Sequence, residues 1–257
     1  MSVSLDIRDH VARVTIDRAD RLNAIDSATE RRLMEIWEAI ENDRDVRCVV
    51  LTGAGDRAFC VGADMKDVSK SGLEYWADPR PGGFGGIALR QTLDIPVIAR
   101  VNGFALGGGF EMILGCDIVI ACEEAEMGLP EPRVGRMPLD GGMVLLQRKI
   151  PHNIAMGMML TARRVKATEL ARWGVVNEVV PRAELDATVD RWIGDILACA
   201  PLSLRAIKQT ARHTAHLQPV EAQALKLPAV IEALCSEDAN EGVRAFQEKR
   251  KPAWKGC

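Results

Sequence analysis

Neither a basic excess nor a long apolar run occurs in this chain. Its 33 Lys and Arg stand against 36 Asp and Glu, a net charge of -3, and its pI is near 5.9. That balance excludes the broad basic face by which proteins usually hold nucleic acid or an anionic membrane surface, and it leaves a small molecule as the expected partner. No stretch approaches the roughly 20 apolar residues that span a bilayer. The seven cysteines are odd in number and lack CxxC spacing, which excludes an ordinary disulfide framework and fits a reducing compartment. Internal repeats and low-complexity tracts are absent too. The opening MSVSLDIRDH enters a strand pattern at once, with no apolar h-region and no Arg/Ser-rich leader, so a cytoplasmic location is expected.

What is present suffices for a large core: 257 residues, 47% hydrophobic, make one large domain or one plus a small appendage. Strands are predicted over Val3 to Ile7, Val11 to Ile16, Cys48 to Leu51, Pro96 to Val101 and Asp117 to Ala121. Leu33, Ile36, Trp37 and Ile40 recur at helical spacing, and Ser27 with Glu30 reads as a capping box for that helix. The strand-turn-helix order implies a largely parallel, covered sheet. After about Pro181 the pattern is helical, with Pro201 and Pro219 read as breaks. Val68 to Gly86, containing Tyr75, Trp76 and PRPGGFGG, reads as a loop insertion.

Chemistry concentrates in three strings. In Gly107-Gly108-Gly109-Phe110-Glu111 the glycines permit close backbone approach and positive φ, and the helix that follows offers free N–H groups and a partial positive charge. Together with Cys60-Val61-Gly62-Ala63-Asp64 this reads as a split oxyanion hole. Glu111 falls three residues after Gly108, on the same helix face as its exposed amide. Glu131 lies between Pro130 and Pro132, on a stiff segment expected to be non-helical. Gly135, Pro138, Gly141 and Gly142 then imply tight turns before a helix through Val144, Leu145 and Leu146.

Arg21-Leu22-Asn23-Ala24, VGADM, VNGFALGGGFE and LPEPRVGRMPLDGG together resemble the crotonase superfamily of acyl-coenzyme A enzymes over essentially the whole chain. Within it the chain is most similar to enoyl-CoA hydratases, and among these to carnitinyl-CoA dehydratases, by PGGFGG and the tail SEDANEGVRAFQEKRKPAWKG. The resemblance implies an α/β crotonase spiral of ββα repeats over residues 1–195 that carries the acyl-CoA site. It also implies a C-terminal helical trimerisation region over 196–257, with homotrimers that often pair into hexamers. By position, the backbone N–H groups of Ala63 and Gly108 would bind the thioester oxygen, and Glu111 and Glu131 would be the acid-base pair. Glu111 is assigned to the water at C3 and Glu131 to the proton at C2, with acid and base exchanged in the reverse direction. Two nearby carboxylates also disfavour double ionisation. Arg21 and Ala24 would lie near coenzyme A phosphates or pantetheine, Val61 and Met65 near the adenine, and Lys66 near a phosphate. Phe246 and Lys249 would close the site, from the same or a neighbouring subunit. No cofactor is implied beyond the coenzyme A of the substrate.

Departures from the family pattern bear on the acyl group. Asp140 stands where many relatives carry a small neutral residue, so a third carboxylate is expected at the acyl pocket, with Trp76, Phe84, Met137 and Leu139 as further walls. Phe110 and Val61 replace smaller residues without touching the main-chain oxyanion donors. Water addition or removal is the reading that two carboxylates favour. Isomerisation or thioester hydrolysis, and a non-catalytic acyl-CoA-binding role, remain the alternatives. Plainer roles are expected elsewhere: Cys60 and Cys116 as small core residues, Met156, Met158 and Met159 as core or subunit contact, and EKRKPAWK as a solvated end. His213 and His216 are spaced for a metal but lack a third ligand, so no metal is expected.

Overall fold

Two sheets share the strands of this protein almost in alternation. The computed structural model describes residues 2–67, 71–78 and 80–257. β1 (Val3–Arg8), β2 (Val11–Ile16), β3 (Cys48–Gly53), β5 (Val97–Val101), β7 (Ile118–Cys122) and β10 (Glu178–Val180) form a six-stranded sheet in the order β1-β2-β3-β5-β7-β10. β4 (Ala58–Cys60), β6 (Phe104–Leu106), β8 (Glu126–Gly128) and β9 (Val165–Lys166) form a four-stranded one in the order β4-β6-β8-β9. The β1-β2 and β8-β9 pairs are antiparallel and the other pairings are parallel. β3/β4, β5/β6 and β7/β8 each give one strand to each sheet before a helix follows. This is the expected spiral of ββα units. Strands covered on both faces read as unbroken apolar runs, as in Cys48-Val49-Val50-Leu51, where no residue is more than 1% exposed.

Helix α1 (Ser27–Asn42) buries Leu33, Ile36, Trp37 and Ile40 at the predicted spacing. Its cap differs from the expected one. Asp26, not Ser27, is the N-cap, its carboxylate accepting from Thr29 N at 2.8 Å. Ser27 instead donates its hydroxyl to Asp67, and Glu30 pairs with Arg80. The expected loop over Val68 to Gly86 is also corrected. Residues 68–70 and 79 lie outside the described residues, but within the rest stands a short helix, α2 (Gly72–Ala77). A reciprocal capping box of Ser71 and Glu74 starts it, and turns at Gly82, Gly83, Gly85 and Gly86 follow. α3 (Gly108–Gly115) and α4 (Gly142–Lys149) follow β6 and β8.

Helices Leu185–Leu197, Pro201–Thr214, Pro219–Ala224, Pro228–Cys235 and Glu237–Gln247 make up the C-terminal part. Pro201 and Pro219, expected as breaks, open helices at a first-turn position where a missing N–H costs nothing. The basic tail is strapped down rather than free. Lys255 N and Gly256 N donate to the carboxylate of Asp238, itself 2% exposed, at 2.7 and 2.8 Å, and the Trp254 indole donates to Ala198 O at 2.8 Å. Cys60, Cys116 and Met158 are core residues, and burial pushes both thiols up to about 12.

Candidate active site

Two asparagines hold the connection that carries Val61 to Asp64. Leu22 and Asn23 both adopt left-handed backbone, φ 52° and 58°, which folds Arg21-Leu22-Asn23-Ala24 back on itself and buries the Asn23 amide. Asn23 Nδ2 donates to Ala54 O at 3.0 Å and Ala58 O at 2.7 Å. Asn102 Nδ2, from the end of β5, donates to Gly53 O at 2.8 Å and Gly55 O at 2.7 Å. Arg18 then fixes the far side through Asp26 at 2.9 Å and Asp64 at 3.1 Å.

β4 and β6 are parallel neighbours, with Cys60 opposite Ala105, so they deliver 61–63 and 107–108 to one end of the sheet. Each segment turns there on a glycine of positive φ, 92° at Gly62 and 58° at Gly107. The approach is close. A Cβ on Gly62 would stand 3.2 Å from Gly108 N, and one on Gly109 only 2.1 Å from Cys60 O. Gly62 O and Asp64 N both bond to Ile25, so the Ala63 N–H between them faces the other way. Among the described residues, neither Ala63 N nor Gly108 N, the first amide of α3, has an acceptor.

Glu111, on α3, is 2% exposed, and its Oε1 accepts from Asp140 N and Gly142 N, both at 2.9 Å. Burial pushes its carboxyl up to about 8; the charges of Asp140 and Glu131 add to the rise and the two amides oppose it. Glu131 opens a 3-10 turn, Glu131–Val134, which corrects the expected non-helical segment: a proline in a first turn is compatible with helical backbone. Its Oε1 is 2.9 Å from where a Gly107 side chain would begin, and its buried Oε2 has no hydrogen-bond partner among the described residues. Burial, with a contribution from Asp140, pushes Glu131 up to about 7.

These groups face one cavity of about 1040 Å³, whose lining includes Val61, Ala63, Met65, Trp76, Phe84, Gly108, Glu111, Glu131, Met137, Leu139 and Asp140. Trp76 and Met137 are 65% and 60% exposed, so they form a rim rather than inner walls. Arg21, Ala24, Lys66, Phe246 and Lys249 do not line the cavity; Phe246 is 86% exposed, on the helix before the tail. Asp140 is not an open charge. Its Oδ2 accepts from the Tyr75 hydroxyl, its Oδ1 lies 3.2 Å from where a Gly83 side chain would begin, and Arg80 Nη2 lies 3.6 Å away. Tyr75 and Arg80 are thus site neighbours that sequence reasoning passed over. The Ser71-x-x-Glu74 spacing was the available sign that Tyr75 sits on an ordered helix.

Residues 6–257 match the enoyl-CoA hydratase/isomerase family. The chain is 39% identical to the carnitinyl-CoA dehydratase of Proteus mirabilis, covering 99% of this chain and 98% of that one, and 38% identical, with the same coverage, to that of Escherichia coli K12. The crystal structure of an enoyl-CoA hydratase from Bacillus anthracis superposes with a TM-score of 0.91 at 30% identity, covering 100% of both chains. With the crotonase spiral and the motifs that build this cavity, full-length matches of this kind show that the chain belongs to the enoyl-CoA hydratase/isomerase family.

Proposed function

We propose that the protein is a hydro-lyase that adds water to, or removes it from, a short or polar acyl-CoA, with the Ala63 and Gly108 amides as its oxyanion hole. The observation that carries this reading is that buried Glu111 and half-buried Glu131 line the same cavity as those two amides, which have no acceptor among the described residues. Removing the C2 proton of a 3-hydroxyacyl thioester, or attack of water at C3 of an enoyl thioester, drives negative charge onto the thioester oxygen. Two fixed N–H donors stabilise the enolate, and one such donor is worth about 100- to 1000-fold in rate. Their positions are held by the sheet, so no reorganisation is needed as charge develops.

The two glutamates, raised to about 8 and about 7, hold one proton between them near neutral pH. Burial is deeper at Glu111, so the shared proton resides there preferentially. With Glu111 on the hydroxyl side and Glu131 at C2, that state eliminates water: Glu131 takes the C2 proton while Glu111 protonates the leaving hydroxyl. Hydration starts from the opposite placement of the proton. The unpartnered Glu131 Oε2 fits a group that meets substrate rather than protein.

Homotrimers, or hexamers made from them, are part of this reading, with 196–257 as the association region. Ile207, Val220, Leu234 and Phe246 are 65%, 82%, 74% and 86% exposed there, apolar surface that association would cover. On this reading Phe246 and Lys249 close the coenzyme A site, from the same or a neighbouring subunit, with Arg21 and Ala24 near its phosphates or pantetheine, Lys66 near a phosphate, and Val61 and Met65 at its adenine. Seven free thiols fit a cytoplasmic enzyme; among the described residues no helix is long and apolar enough to cross a membrane.

The test is loss of conjugated thioester absorbance on mixing the enzyme with crotonyl-CoA and, in parallel, with crotonobetainyl-CoA, the product of the reaction for which the dehydratase relatives are named. Turnover of crotonyl-CoA is expected of a general hydratase, and turnover of crotonobetainyl-CoA alone of a carnitine enzyme. Silence with both rejects the hydro-lyase reading.

A further inference from the structure

Asp140 takes part in two arrangements at once. Its backbone N–H is one of the two that hold Glu111 Oε1, so the 138–142 turn is the clamp of that carboxylate. Its side chain, 13% exposed, points toward α2 and the segment after it. There Tyr75 donates its hydroxyl to Oδ2, Arg80 approaches, and the carboxylate packs on the backbone just before Phe84, its Oδ1 3.2 Å from where a Gly83 side chain would begin. Arg80 in turn lies 3.9 Å from the centre of the Tyr75 ring and pairs with Glu30 on α1. Phe84 continues the chain of contact, because its ring covers Gly108 so closely that a Cβ there would stand 2.5 Å from Phe84 Cδ1.

One carboxylate therefore joins the clamp of the first glutamate to the ring packed against an oxyanion amide. We propose that Asp140 is a positioning residue for the reaction, a latch that, with Tyr75 and Arg80, holds the Glu111 turn and the Phe84–Gly108 contact in a common register. This rests on the hydro-lyase reading above. An alternative use of Asp140, as a free anion for a cationic acyl group, fits the geometry poorly, since its carboxylate already serves a hydroxyl and a guanidinium. The charged and titratable groups facing it are Tyr75 and Arg80 from the insertion, Glu30 through Arg80, Glu111 from α3 and Glu131 from the 3-10 turn.

The test combines kinetics with a reporter independent of turnover. Tyr75 is the only tyrosine in the chain, so fluorotyrosine incorporation gives one fluorine NMR line at the latch. Asp140→Leu is expected to move that line toward its solvent-exposed position and to lower kcat between about 10- and 100-fold, the scale of a small misplacement of reacting groups, with little change in KM. Asp140→Asn, which keeps an acceptor for the Tyr75 hydroxyl but removes the charge, is expected to recover part of that kcat. It also moves both limbs of the pH–kcat profile to lower pH, because a negative charge beside Glu111 and Glu131 has gone.

A fluorine line unmoved in Asp140→Leu would overturn the latch. A moved line with unchanged kcat, or Asp140→Asn with unshifted limbs, would reduce Asp140 to a purely structural contact and overturn its positioning role. If the wild-type enzyme turns over neither crotonyl-CoA nor crotonobetainyl-CoA, the hydro-lyase reading fails, and the fluorine line still decides the latch separately.

Discussion

Replacing Glu111 by glutamine is expected to stabilise the protein at alkaline pH while disabling it. The side-chain oxygen that accepts from Asp140 N and Gly142 N survives in glutamine, and only ionisation is lost. Below the ordinary carboxyl value of 4.5 both folded and unfolded wild-type chains carry the proton, and the raised value of about 8 has no effect on stability. Between those two values the unfolded chain ionises while the folded one keeps its proton, so stability falls as pH rises, and it levels off above about 8. A displacement from 4.5 to about 8 corresponds to roughly 5 kcal/mol at about 1.4 kcal/mol per tenfold in proton affinity. Because Glu131 shares the same proton, an order of 3 kcal/mol is expected to be recovered, about 6 °C or more in Tm for a chain of this size. Urea unfolding of wild type and Glu111→Gln at about pH 5 and about pH 9 measures it, the quantity of interest being the change in their difference. An identical difference at both pH values would refute the assignment of a buried, proton-retaining carboxyl. Turnover of the same variant should fall about 100- to 10,000-fold, the scale of a lost general acid-base group.

The neighbouring groups carry further expectations. Glu131→Gln should lose turnover on the same scale with coenzyme A binding intact, and near-normal kinetics with crotonyl-CoA would remove Glu131 from the chemistry. Gly108→Ala drives a methyl into the Phe84 ring, so activity should drop sharply and return in part in the Gly108→Ala/Phe84→Ala double variant; strictly additive losses would mean that the two residues do not meet. Gly109→Ala meets backbone at Cys60 O and should prevent stable folding, whereas Gly194→Ala, with open space on an exposed helix face, should raise stability by about 1 kcal/mol, both read by thermal melting. Thiol titration of native protein should modify Cys199, Cys235 and Cys257 but spare Cys48, Cys60 and Cys116, which are buried with thiols pushed up to about 12; fast reaction at Cys60 would contradict its place behind Gly109.

Most of the fold was legible because its determinants are periodic. Unbroken apolar runs at Cys48 and Val97 mark doubly covered strands, and Leu33, Ile36, Trp37 and Ile40 mark one helix face. The glutamates and the glycine turn could be picked out because backbone approach and rigid placement leave few residue choices. Less was readable where geometry depends on partners distant in sequence. Asp26 caps α1 in preference to Ser27 because Ser27 is drawn to Asp67. The tail is strapped by Asp238 and Glu241 through contacts that its basic composition conceals. Asp140 lines the cavity as expected, but its pairing with Tyr75 and Arg80, both more than fifty residues away in sequence, could not be read from the sequence. A helix of six residues, α2, is too short for periodicity to show, and only its capping box betrays it.

Three carboxylates around one cavity would repel one another strongly if each were ionised and unpaired. The fold answers each differently. Asp140 has a guanidinium and a phenol; Glu111 has two amides from a tight turn; and Glu131 Oε2 has no partner among the described residues. A buried carboxylate oxygen lacking a donor is costly in a finished protein core, but it suits a site that substrate or water completes. The same asymmetry matches the roles proposed for them: the best-satisfied acid as positioning residue, the clamped one as proton holder in fixed geometry, and the least satisfied one at the reacting carbon. Burial is the first cause that raises all three carboxyls, so it is their partners, set by the 138–142 turn and by α2 with the segment after it, that distinguish the proposed latch from the proposed acid-base pair.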